Sequence, residues 1–120
     1  MTRINVGVSP KDLTTKHLVA EHREIKRIPN VIRSGRFSMN GQPSQFTLGK
    51  GHVKFFYDKL LYLKNRYAEI LKECRTRGFN MTDYSSAFDG LPVANMGDYS
   101  PSERDTAIIK ERIALRLGAR

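Results

Sequence analysis

A chain of 120 residues with 39% hydrophobic content can bury roughly two-thirds of its unfolded surface, which excludes a disordered tail and removes any need for staples. Twenty-one Lys and Arg against twelve Asp and Glu give a formal charge of +9, which suits a polyanionic partner, either nucleic acid or an anionic membrane surface. A single cysteine, Cys74, excludes an internal disulfide, no apolar run approaches the ~20 residues that span a bilayer, and MTRINVGVSP carries no hydrophobic signal region, so a cytoplasmic protein is expected.

The first predicted helix starts at Ser9, an N-cap followed by Pro10 at the first helical position and Asp12 in the first turn. It runs through Leu13, Leu18, Ile25 and Ile28 and ends near Pro29. The second follows the glycine-rich Gly49–Gly51 stretch and runs from about His52 to Arg77. Its apolar positions, Val53, Phe56, Leu60, Leu63, Tyr67, Ile70, Leu71 and Cys74, recur at three- and four-residue spacing, and Gly78 is placed to close it. The third opens on Ser100-Pro101-Ser102-Glu103, a capping-box pattern with proline at the first helical position, and continues through Ile108, Ile109, Ile113 and Leu117. Residues 33–51 and 79–99 are irregular, and no segment sustains strand alternation. The expectation is an all-α, single compact domain of three helices with long irregular connections, spanning residues 1–120.

On the first helix, Lys16, Arg23 and Arg27 form one basic stripe, and His17, Glu21 and Glu24 form a second stripe beside it. Such a pattern is either a solvated salt-bridge surface or a site where an acid works among phosphates. Arg23 and Arg27 can hold phosphates, and a carboxylate at a duplex surface suffers repulsion that a catalytic task would justify.

Thr2 follows the initiator Met1, and its small size permits removal of that methionine, which would make Thr2 the mature terminus. An α-amine titrates near 7.7–8.0, so roughly a tenth of it is free base at about pH 7, several hundred-fold more than an ordinary lysine. Free amine is the species that attacks a sugar C1′, and the Arg3 cation lowers its proton affinity further.

Other clusters read as structural. His17, His22 and His52 combine with no Asp, Glu or Cys at a metal-ligand spacing, so surface or capping positions are expected for them. GKGH lacks the spacing of a phosphate loop, and Gly49 and Gly51 are expected to permit a tight approach. Phe55, Phe56, Tyr57 and Tyr62 are expected mostly in the core, and the mixed charges of the first helix argue against a membrane surface.

The runs MTRIN, KHLVAEHREIKR, FTLGKGHVKFFYDKLLYLKNR, KECRTRGFN and MGDYSPSE resemble the phage-type pyrimidine-dimer DNA glycosylases, the phage endonuclease V family. The resemblance covers residue 2 to about residue 120, with a shorter loop around 33–46. It implies a three-helix fold and a bifunctional glycosylase and AP lyase with no metal or organic cofactor. It also implies double-stranded DNA with damaged bases as the partner, and a monomer is expected. By the same resemblance Thr2 is the N-terminal nucleophile and Glu24 the essential acid. Arg3, Arg23 and Arg27 grip DNA, His17 lies near the active site, and Arg112 and Arg116 supply phosphate contacts from the third helix. Two departures stand out. Lys16 replaces a family glutamine that approaches the minor groove, and the family continues past the position of Arg120 into a tail rich in Trp and Tyr. These leave other readings open: the same chemistry on another lesion, a silent duplex-binding protein, or a helical ribosomal or RNA-packaging protein.

Overall fold

The computed structural model describes residues 2–118. Met1, whose removal the amine chemistry requires, and Arg120, where the family tail would continue, lie outside the described residues. Among the described residues there are five α-helices: α1 (Thr15–Glu24), α2 (Arg27–Ser34), α3 (His52–Phe55), α4 (Leu60–Thr76) and α5 (Glu103–Gly118). Short 3-10 turns fall at Pro10–Asp12, Ser85–Phe88 and Val93–Asn95. Among the described residues there is no strand, only an isolated bridge between Lys59 and Met96. None of their helices is long and apolar enough to cross a membrane.

The all-α expectation holds, but two of the three predicted helices are divided. Ser9 and Pro10 begin only a 3-10 turn, and α1 starts one turn later. There Thr14 Oγ1 accepts the His17 N–H at 3.2 Å. The helix stops at Glu24, and Pro29 sits near the start of α2 rather than at an end. That position suits a residue without an N–H, because the first turn has no intrahelical acceptor to use. The second predicted helix breaks at Lys59, whose φ of −124° and ψ of 37° lie outside the helical region. Gly97 explains the break. Its carbonyl accepts the N–H groups of Leu61 at 3.1 Å and Tyr62 at 3.4 Å, and its own N–H donates to Asp58 O at 3.0 Å. A loop nearly forty residues away in sequence thus satisfies the free donors of the α4 first turn.

α4 is the central element. Leu60, Leu63, Tyr67, Ile70, Leu71 and Cys74 are buried along one face, and Gly78, with φ +85°, follows its C-terminus. α1 packs against it through Leu18, Glu21 and His22. The third capping box is real but shifted: Ser102 Oγ accepts the Asp105 N–H at 3.1 Å, and Asp105 Oδ2 accepts the Ser102 N–H at 3.3 Å. α5 anchors through buried Ile109, whereas Leu115 and Leu117, the latter expected on its apolar face, are exposed. Gly51, with φ +92°, makes the expected close approach, since a Cβ there would lie 2.8 Å from Pro43 Cγ. A Cβ on Gly49 would meet nothing within 4 Å, so a glycine there is favoured only by its φ of +67°.

Candidate active site

The site begins with the N-terminal arm, residues 2–8, which contributes Ile4, Val6 and Val8 to the core. Its backbone is held by polar side chains rather than by a sheet. The Ile4 N–H donates to His52 Nε2 at 3.0 Å. Asn5 donates twice to Glu21 Oε1, from its backbone N–H at 3.3 Å and from Nδ2 at 2.7 Å. Arg66 Nη1 donates to Val8 O at 3.0 Å.

Glu21 and Arg66 form a buried ion pair, with side chains 0% and 5% exposed. Arg66 Nε donates to Glu21 Oε2, and Nη2 donates to Oε1 at 3.0 Å. Burial works against the Arg66 charge, but the attraction and hydrogen bonds of Glu21 hold its pKa above the ordinary arginine value. One turn along α1, Glu24 is also buried, and its Oε2 accepts a long 3.4 Å contact from exposed Arg23. The two carboxylates are equivalent by helical spacing and different by environment. Glu21 is saturated by four N–H donors, whereas Glu24 has a single side-chain hydrogen bond among the described residues, from Arg23.

Asn5 of the arm is tied at Glu21, and the Glu24 charge bears on Arg3. Thr2 is buried, 8% exposed. Burial lowers the pKa of Arg3, and the charges of Arg112 and Arg116 lower it further while Glu24 opposes them. Burial also lowers the pKa of His17, again with Arg116 and then Lys16 acting in the same sense. Arg116 therefore bears on both the arm and the start of α1, which joins the C-terminal half of α5 to the cluster. Exposed Lys16 and Arg23 complete the rim. Arg27 lies beyond the end of α1 at Glu24, as the exposed first residue of α2.

The histidine expectation needs correction. His17 does serve the α1 cap, with Nδ1 2.7 Å from Thr14 Oγ1. His22 and His52, expected at surface or capping positions, are instead buried at 3% and 2% exposure. The His52 ring lies edge-on to Phe46 and Phe56, and both of its nitrogens are engaged. Because Nε2 accepts from Ile4, the proton belongs on Nδ1, which donates to Thr47 O at 2.8 Å. His22 is paired with the Tyr67 hydroxyl at 3.1 Å, on the rung of the α1–α4 interface next to Glu21–Arg66.

The sequence reading also missed Asn5, Arg66 and the burial of Glu21. One signal was available: Arg66 interrupts an apolar face between Leu63 and Ile70, and a cation there demands a buried partner.

Cations gathered around the buried Glu24 carboxylate form a surface suited to a polyanion. Residues 1–85 match the family described as pyrimidine dimer DNA glycosylase, and the chain belongs to that family. Membership makes it a DNA glycosylase of the pyrimidine-dimer class. The match includes the arm, α1 and α4, while Arg112 and Arg116 lie beyond it.

Proposed function

We propose that the protein excises a UV-damaged pyrimidine through a Schiff base on the α-amine of Thr2 and then nicks the backbone. The observation that supports this reading is the tie of the arm at Asn5 to Glu21, one turn before buried Glu24, with the Glu24 charge bearing on Arg3 next to Thr2. Cyclobutane dimers weaken local pairing and stacking, which lowers the cost of kinking and base extrusion at the lesion. With Met1 removed, the amine lone pair attacks C1′ as the glycosidic bond breaks, and the base leaves with its electrons. Glu24 stabilises the cationic sugar. Loss of the amine proton and opening of the sugar ring give the imine. The Glu24 carboxylate then takes a proton from C2′, and the C3′–O bond breaks by β-elimination, releasing the phosphate. Water hydrolyses the imine. Arg3, Arg23, Arg27, Arg112 and Arg116, with Lys16 and His17, hold the phosphates around the lesion.

The test is borohydride trapping on two end-labelled duplexes, one carrying a single thymine dimer and one a single abasic site. A covalent band on both supports the proposal. A band on the abasic duplex alone retains the chemistry and transfers it to another lesion. Trapping that survives blockade of the N-terminal amine overturns the nucleophile. Glu24→Gln is expected to bind dimer-containing duplex at parental affinity and lose base excision; excision at the parental rate refutes its role.

A further inference from the structure

We infer that His52 and the Glu21–Arg66 pair are positioning residues that clamp the N-terminal arm so that the Thr2 amine meets the reacting sugar in one geometry. The inference rests on the α-amine reading above.

The arm has little to hold it by itself. It forms no strand with a neighbour, and Gly7, with φ +75°, turns the chain away after Val6. Its side chains Ile4 and Val6 fix it in the core but do not fix its slide along α1, because apolar contacts are non-directional. Direction comes from hydrogen bonds at three points along it, Ile4, Asn5 and Val8. His52 Nε2 takes the Ile4 N–H, Glu21 Oε1 takes both donors of Asn5, and Arg66 reaches Val8 O. These groups come from three separate elements, α3, α1 and α4, so the arm is triangulated rather than hung from one helix.

Each member of the clamp is itself held. Arg66 orients Glu21 with two parallel N–H donors. His52 is fixed by the Thr47 carbonyl and by the edges of Phe46 and Phe56. The contact to Ile4 lies two residues from the proposed nucleophile. A slip of the arm there moves the amine with it, and misplacement of about 1 Å can cost on the order of a hundredfold in rate. None of these side chains needs to touch the substrate for this to hold.

His52 offers the cleanest test, because its acceptor can be removed without stranding a buried charge. His52→Leu deletes the acceptor for Ile4, and His52→Gln places an amide oxygen near the position of Nε2. Three readouts are taken on each full-length protein: Schiff-base trapping rate on an abasic duplex, affinity for a duplex carrying a reduced abasic analogue, and hydrogen exchange at the Ile4 amide. His52→Leu is expected to slow trapping on the order of tenfold to a hundredfold, to bind the analogue duplex as the parent does, and to lose Ile4 protection. His52→Gln is expected to recover most of both the rate and the protection. Parental trapping by His52→Leu overturns the inference. It is equally overturned if His52→Gln stays as slow as His52→Leu while Ile4 protection returns. Failure of the α-amine reading looks different: the parental protein then traps after its N-terminus is blocked, whatever residue stands at 52.

Discussion

The charge state of His52 and the docking of the arm are one physical fact, and stability against pH reads it. Nε2 accepts the Ile4 N–H only while the ring is neutral. Burial lowers the pKa of His52 from 6.5 to about 4, with the Arg3 charge adding to it against the opposing Thr47 carbonyl and Glu21 charge. The unfolded chain therefore takes a proton near 6.5, and the folded chain takes it only near 4. Stability from the neutral ring is complete above about pH 6.5, declines as pH falls, and is gone below about pH 4. The interval at about 1.4 kcal/mol per pH unit amounts to ~3 kcal/mol. That is a large share of the ~5–15 kcal/mol typical of a folded domain. Urea unfolding of the parent and of His52→Gln, from about pH 7.5 down to about pH 4, isolates this contribution, because the glutamine does not titrate. The parent should lose up to ~3 kcal/mol more than the variant across that range. Superimposable pH profiles refute the reasoning and return His52 to an ordinary aromatic filler.

Two further outcomes follow from the same geometry. Arg66→Met leaves the Glu21 carboxylate buried without its cation and should cost ~3–5 kcal/mol in denaturant unfolding. The double variant Glu21→Gln with Arg66→Met removes both charges and should cost less than Arg66→Met alone; a double variant that loses the sum of the two singles contradicts a coupled pair. Arg112→Gln and Arg116→Gln together should lower the slope of log affinity against log salt on duplex DNA by about 2, since each phosphate contact contributes ~0.9. An unchanged slope removes α5 from the DNA interface.

The parts of the fold that were legible in the sequence are those set by local rules. Apolar spacing located α4 to within its buried face, and the Ser-Pro-Ser-Glu run announced α5, although the reciprocal cap uses Ser102 and Asp105 rather than Ser100 and Glu103. The division of the first two helices was not legible, because its causes are distant. Gly97 caps α4 from the far side of the chain, and α1 buries Glu21 and His22 against Arg66 and Tyr67, residues that by pattern alone belong on a solvated face. The site divided along the same line. Glu24 and the cations were visible as residue types, but the difference between Glu21 and Glu24 was not. It depends on which carboxylate faces Asn5 and Arg66, and that is a property of packing between helices.

That difference separates two electrostatic layers with opposite design. The inner layer, Glu21 with Arg66, compensates its own charge and saturates its donors, so it contributes geometry and has no use for a ligand. The outer layer does not compensate itself. Burial lowers the Arg3 pKa, the Arg112 and Arg116 charges lower it further, and the Glu24 charge opposes them. Lys16 and Arg116 act on His17 in the same sense. Folding alone gains nothing from bringing these cations together, since like charges destabilise the compact state. The arrangement becomes favourable when phosphates enter, because each one relieves repulsion among several cations at once. In the proposed reading the inner layer sets where the arm lies, and the outer layer holds unfavourable electrostatic energy that a DNA backbone would release on binding. Glu24 stands at the boundary between them, buried on α1 beside the exposed Arg23 guanidinium.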